Sequence, residues 1–153
     1  MKPIRNSAKA LIVRDGAVLC IRKADEQGIY HILPGGGQER SESLHDALRR
    51  ECREEIAVEI EVGDLRFVRD YIGRNHEYAD VDLHTHAVEL MFLCALGPGA
   101  EPSNGQPPDN GQVGVVWVPR RELVRARLYP IALAHVLAAD DWTSAPIYLG
   151  DVN

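Results

Sequence analysis

The sequence predicts an α+β fold in one domain spanning residues 1–153. Two patterns carry that expectation. Period-two alternation of apolar residues occupies 7–13, 17–23 and most of 58–96, as in strands. Helical spacing interrupts it between Ser41 and Ile56 and returns only after Pro119. A length of 153 residues with 45% hydrophobic and 26% charged residues is enough for a real core.

Taken in order, residues 7–13 (SAKALIV) read as a strand. Asp15-Gly16 is a hairpin turn, and 17–23 (AVLCIRK) return as the second strand. Residues 24–30 read as a polar loop, and 30–33 as a short strand ending at Pro34. The helix follows, with Ser41 as its expected N-cap. Strands are expected at 58–62, 65–72 and 83–96, with a polar, turn-rich loop at 73–82. Residues 97–112 are crowded with glycine, proline and polar residues and read as a long loop before a strand at 113–118. Pro119 suits the first turn of a helix over 120–128. A second helix is expected at 131–139, then a surface or mobile tail from Asp140. Trp142 and Tyr148 would anchor that tail or make a homodimer contact.

The helix carries the chemistry. Leu44, Ala47, Leu48, Cys52 and Ile56 form its apolar stripe. At roughly 100° per residue, Glu51 and Glu55 fall within about 20° of Leu44, and Glu54 about 80° away. His45, Asp46, Arg49, Arg50 and Arg53 take the other side. A solvated acidic face would point away from the stripe; here the carboxylates point along it. Carboxylates turned inward repel one another and lose hydration unless paired or coordinated to a cation. Hard oxygen donors at i, i+3 and i+4 suit Mg²⁺ or Mn²⁺. Pairing with Arg50 is the structural alternative. Just before the helix, Gly35, Gly36 and Gly37 would let backbone approach a ligand closely.

The whole stretch, Gly36, Glu42 six residues on, Arg50-Glu51, then Glu54-Glu55, resembles the Nudix box, Gly-x5-Glu-x7-Arg-Glu-U-x-Glu-Glu-x-Gly-U with U apolar. Cys52 and Val58 stand at the apolar positions, and Ala57 replaces the family's glycine at the helix end. The resemblance implies an α/β/α sandwich around a mixed sheet. It also implies a metal-dependent hydrolase of a nucleoside diphosphate linked to another moiety X, cleaving a pyrophosphate bond by water attack on phosphorus. Glu51, Glu54 and Glu55, with the Gly35 carbonyl, would hold Mg²⁺ or Mn²⁺. Glu54 or Glu55 is the first choice of general base, with Glu89, Glu77 and Asp109 behind. Arg50 would orient a carboxylate of the cluster, and Glu42 would support the loop or the metal's outer sphere. Arg22, Lys23, Tyr30, Gly36 and Gly37 are expected at the substrate. Family members often supply a further ligand or base from a loop such as 97–112, where Asp109 and Gln112 are in reach. Glu89 stands alone in an apolar strand, aimed at the metal or paired with Arg22 or a neighbour. His84 and His86 share one side of the same strand and read as surface or pocket residues.

A nucleoside triphosphate or a nucleotide sugar is the expected small-molecule partner. A non-catalytic nucleotide sensor of the same fold is the alternative; such domains usually lose box carboxylates, and this chain keeps them. The net charge of −6 argues against general nucleic-acid binding. Three scattered cysteines and no apolar membrane span point to the cytoplasm.

Overall fold

A computed structural model describes residues 2–108 and 110–153. In chain order the elements are β1 (Arg5–Leu11), β2 (Val13–Arg14), β3 (Ala17–Asp25), β4 (Gly28–Ile32), β5 (Gly35–Gly37), α1 (Leu44–Ile56) and β6 (Ile60–Ile72). They continue as α2 (Ala79–Asp82), β7 (His86–Leu96), β8 (Gln112–Pro119), β9 (Leu128–Tyr129), α3 (Ile131–Ala138) and β10 (Tyr148–Asp151). The first sheet is mixed, in the order β10-β6-β7-β1-β5, and the second runs β2-β3-β4-β9 with β8 on the other side of β3. The expected mixed α+β class is observed.

Strand alternation separates two cores. Along β3, Val18 and Cys20 join one cluster and Leu19 and Ile21 the other, because successive side chains leave a strand on opposite faces. The cluster with Leu19 receives Leu48, Cys52 and Ile56 of α1. The cluster with Val18 receives Leu133, Ala134 and Leu137 of α3. The helices therefore pack against different cores, as the sandwich expectation requires.

Several elements depart from expectation. The N-cap of α1 is Ser43, whose hydroxyl accepts from the Asp46 amide at 3.1 Å. Ser41 has φ +67° and belongs to the turn before it. Strands 58–62 and 65–72 are one strand, β6, interrupted by register shifts around Leu65. β7 begins at His86, so His84 does not share a strand face with it. The helix expected over 120–128 is only a 3₁₀ turn, Arg120–Glu122. Leu123 and Leu128 are both fully buried; five residues apart, they would diverge on a helix, and Arg127 takes φ +55° to bring the chain back to β4. The tail from Asp140 is ordered. Its β10 adds parallel to the edge of β6, giving that strand's unpaired backbone groups a partner. Trp142 packs on the core within the chain, and the Tyr148 hydroxyl donates to Asp70 at 2.6 Å.

Candidate functional site

A cleft of about 620 Å³ is lined by carboxylates of α1, the glycine turn, the Arg5–Lys9 face of the first sheet, and Lys23, Tyr30 and Ile32 of the second. One wall is the end of the glycine turn plus α1. Glu51 and Glu55 line it, one helical turn apart. Glu55 is 4% exposed and accepts a hydrogen bond from the Gly35 amide at 3.1 Å. Glu51 packs on Gly36 so closely that a Cβ there would stand 2.5 Å from the carboxylate carbon. Gly36 is thus required by close approach. Glu54 is different: its side chain is 59% exposed, at the rim. The expectation that all three carboxylates turn inward holds for Glu55 and Glu51 only.

Arg50 ties this wall together. It donates to Glu42 at 2.6 and 3.0 Å, to the Gly37 carbonyl at 3.0 Å, to Glu51 at 3.0 Å and to Glu54 at 3.5 Å. Glu42 also accepts from the Glu39 amide at 2.8 Å. The Arg50 guanidinium, then that amide, hold the Glu42 carboxyl down at about 2. Glu42 does not line the cleft; it locks the loop.

The C-terminal end of α1 is finished by Ala57 at φ +57°, ψ +33°, the left-handed conformation usual for glycine. The last carbonyls are capped by the 97–112 loop. The Gly105 amide and the Gln112 side-chain amide donate to the Glu55 carbonyl at 3.1 and 2.9 Å, and the Ser103 amide donates to Ile56 at 3.0 Å. A Cβ on Gly105 would meet the Glu54 carbonyl at 1.6 Å. Gln112, expected near the ligand, is therefore a buried cap. Asp109 lies outside the described residues.

The floor is cationic. Arg5, Ser7 and Lys9 project from alternate positions of β1, beside Ala87 and Glu89 of β7 and Arg69 and Tyr71 of β6. Glu89 pairs with Arg69 at 2.7 Å, and not with Arg22. Burial alone would raise its carboxyl; Lys9, Arg69 and Arg5 outweigh it and hold the group below its ordinary value. Arg69 further donates to the Val152 carbonyl at 2.6 Å and to Asn153 Oδ1 at 3.1 Å, which brings the tail to the cleft. Asn153 donates in turn to Glu77 at 3.1 Å; Glu77 itself does not line the cleft.

The far end is aromatic. Tyr30 meets Tyr129 edge-on at 6.0 Å, and Tyr78 meets Tyr129 at 6.1 Å. The Tyr78 and Tyr129 hydroxyls are 3.1 Å apart. That contact, with burial, pushes the Tyr78 phenol up to about 12, so the ring is neutral at pH 7. Lys23 reaches this end of the cleft, but Arg22 does not. Alternation on β3 turns Arg22 away, where it donates to His31 Nε2 at 3.5 Å. Gly37 does not line the cleft either; it leaves room for Arg5, whose Nη2 would stand 2.6 Å from a Cβ there.

Sequence reasoning missed Arg5, Ser7, Lys9, Arg69, Tyr78, Tyr129 and Asn153. The β1 set had a signal, since Arg5, Ser7 and Lys9 alternate with Asn6, Ala8 and Ala10. The others come from distant segments and had none.

The donor chemistry fits a hard divalent cation. Arg50 Nη1 bonds both Glu51 Oε1 and Glu54 Oε2, so the rim carboxylate stands beside the lining one, with Glu55 a turn away. Among the described residues no three acidic, histidine or cysteine side chains form a ready-made cation site.

A profile for the NUDIX domain matches residues 3–139. Nucleoside triphosphatase NudI of Escherichia coli strain SE11 is 40% identical over 91 residues, which are 55% of this chain and 63% of that protein. The match thus spans less than two thirds of that relative. A MutT NUDIX hydrolase from Burkholderia pseudomallei superposes with a TM-score of 0.70 at 26% identity, covering 90% of this chain and 100% of that one. An ADP-ribose pyrophosphatase from Streptococcus suis shares the fold, with a TM-score of 0.64 at 17% identity, over 97% of this chain and 98% of that one.

Proposed function

The chain belongs to the Nudix family, and on that premise we propose that it hydrolyses a nucleoside diphosphate linked to a further group X. A nucleoside triphosphate or a nucleotide sugar is the substrate class. The observation that carries this reading is the mixed lining of one cleft: Glu51 and Glu55 share it with Arg5, Lys9 and Arg69, and the Lys9 ammonium donates to the Gly35 carbonyl at 3.3 Å. Such a site accepts a polyanion and a divalent cation together.

Glu51, Glu54 and Glu55, with the Gly35 carbonyl, would hold Mg²⁺ or Mn²⁺, which when bound neutralises phosphate charge and lowers the pKa of a coordinated water. Lys9 and Arg5 bind the phosphate oxygens. The tyrosines at the far end hold the base, since their faces are apolar and their hydroxyls polar. The proton of the attacking water passes to Glu51 or Glu55, the two box-helix carboxylates that line the cleft. Glu54 at the rim, and Glu89 bound to Arg69, serve as ligand and positioning groups. Arg50 keeps Glu51 and Glu54 oriented. The bond broken is the anhydride P–O, and the products are a nucleoside phosphate and X-phosphate or pyrophosphate.

The free thiols of Cys20, Cys52 and Cys94 support a reducing compartment. No helix among the described residues is long and apolar enough to cross a membrane.

The test is phosphate or nucleotide release from a panel of nucleoside triphosphates, nucleotide sugars, ADP-ribose and dinucleoside polyphosphates. It is run with Mg²⁺, with Mn²⁺ and with EDTA. Metal-dependent turnover of one class is expected. Nucleotide binding without turnover across the panel would move the reading to a sensor.

A further inference from the structure

Residues 73–85 join β6 to β7 and form one lip of the cleft. Tyr78, Val81, Asp82 and Thr85 line the cleft from it. Among the described residues from Arg74 to Thr85 none is buried, and Val81 is 81% exposed. The lip thus has no buried side chain to anchor it, and segments of that kind are the easily opened parts of a structure. At its base the Gly73 amide donates to the Thr85 carbonyl at 2.9 Å. On the cleft side the Tyr71 hydroxyl donates to Asp82 at 2.7 Å, and the Tyr78 and Tyr129 hydroxyls meet.

The remaining fasteners come from the tail, and they fall on three consecutive lip residues. Asp151 accepts from the Asn75 side-chain amide at 2.8 Å and stands 2.7 Å from His76 Nε2. Asn153 donates to Glu77 at 3.1 Å. The next residue is Tyr78, at the aromatic end of the cleft. The His76 ring also stacks on Tyr71, with centroids 5.4 Å apart and planes 13° apart, so the ring held by Asp151 lies against a cleft-lining ring. The tail is fixed without the lip's help. The Val68 amide donates to the Ile147 carbonyl at 2.8 Å, the Val152 amide donates to the Asp70 carbonyl at 3.2 Å, and the Ile72 amide donates to Asp151 at 2.9 Å. Leu149 packs on the core that holds Leu133. A well-anchored strand therefore holds a loop that has little else to hold it.

We infer that the tail, residues 148–153, is a bracket that sets the position of the lip and, through Tyr78, the fit of the base-bearing half of the substrate. Asp151, Asn75 and His76 are its positioning residues, and none of them lines the cleft. The inference rests on the proposed hydrolase reading for what the tyrosines hold. Without the bracket the lip stands open part of the time, and affinity for a group gripped by Tyr78 falls with the fraction of time the lip is in place. The cations Arg5 and Lys9 lie on β1 and do not depend on it.

Two variants cut the bracket from opposite sides, Asp151→Ala from the tail and Asn75→Ala/His76→Ala from the lip. In the chain without ligand, hydrogen exchange at Val81, Asp82 and Thr85, whose amides bond within the lip, should quicken about tenfold in either variant, with α1 and β7 unchanged. Combining the substitutions should add little, since both sides remove the same contacts. With divalent metal, KM for the best hydrolysed of ATP, GTP, CTP and UTP should rise about tenfold with kcat within about twofold. KM for ribose 5-triphosphate, which lacks the base, should stay within about twofold. Unchanged lip exchange, or an unchanged ratio of the two KM values, would overturn the inference while leaving the hydrolase reading standing. Should none of these compounds be hydrolysed, the triphosphatase form of that reading fails, and calorimetric titration of the same compounds in EDTA judges the bracket. Nucleoside triphosphate binding weakened in the variants, with ribose 5-triphosphate binding unchanged, supports it. Equal effects on both, or no binding by wild type, sink it.

Discussion

The two walls of the cleft are built in opposite ways. The acidic wall comes from one run of chain, Gly35 to Glu55; Arg50 holds Glu42, Glu51 and Glu54 through four hydrogen bonds, and the Gly35 amide holds Glu55. The cationic floor is assembled from β1, β6, β7 and the tail, and its centre is one ion pair, Arg69–Glu89, with an 8% exposed guanidinium and a 16% exposed carboxylate. The acidic wall is local and half-wet at Glu54. The floor is long-range, and it is dry at the Arg69–Glu89 pair while Arg5 at its edge is exposed. Changes to the first should therefore strike turnover with the fold intact, and changes at the centre of the second should strike the fold.

The largest expected effect is on the acidic wall. Glu55→Gln keeps an acceptor for the Gly35 amide but removes the charge, and should lower kcat by about 10²–10⁴-fold. Its unfolding temperature should stay within a few degrees of wild type. Glu54→Gln, at the rim, should lower activity by about tenfold. Equal losses for the two variants, measured by steady-state kinetics at saturating metal, would erase the distinction between lining and rim carboxylates.

On the floor, Arg69→Ala leaves Glu89 buried without its partner and frees the Val152 and Asn153 contacts. A loss of about 3 kcal/mol is expected, seen as a fall in Tm of roughly 6–12 °C. Arg69→Met with Glu89→Gln should recover part of it, since no uncompensated charge remains. If Arg69→Ala melts like wild type, the floor is not held together by this pair.

Acid should loosen the acidic wall's loop. The folded-state carboxyl of Glu42 lies at about 2, below its ordinary value of 4.5. Its contribution is thus present above about 4.5 and is lost as pH falls through about 2. Asp151, at the tail, behaves alike. Burial would raise it, but Asn75, His76 and the Ile72 amide bring it down to about 2. Hydrogen exchange at Glu39 and Ile72, compared at pH 5 and pH 3, should show faster opening at both after correction for intrinsic rates. Unchanged corrected rates would contradict this.

The smallest effect is at Ala57. Its φ of +57° costs an L-residue about 1 kcal/mol that glycine avoids. Ala57→Gly should raise Tm by roughly 2–4 °C without altering turnover. A loss of stability would mean that the methyl group packs usefully there.

The box helix was legible because its signals are local. Apolar spacing and glutamates at i, i+3 and i+4 depend on neighbours within a turn or two, so their arrangement on one side of α1 follows from helical geometry, although the cap is Ser43 and not the expected Ser41. The Asp15-Gly16 hairpin was legible for the same reason, and both residues take positive φ. What local spacing left undecided was depth. Glu54 and Glu55 are adjacent in sequence, yet one is at the rim and the other buried, because β5 covers only one side of the helix. Tertiary structure alone decided the floor. Arg69 meets Glu89 and Asn153 through strand pairing across long stretches of chain. Tyr129 reaches Tyr30 and Tyr78 only because Leu128 is buried and Arg127 turns left-handed to allow it. The tail became a strand because β6 had an open edge, which four residues of weak pattern, Tyr148–Asp151, do not announce. Short-range periodicity thus determined which chemistry the chain carries, and long-range pairing decided which charges face it.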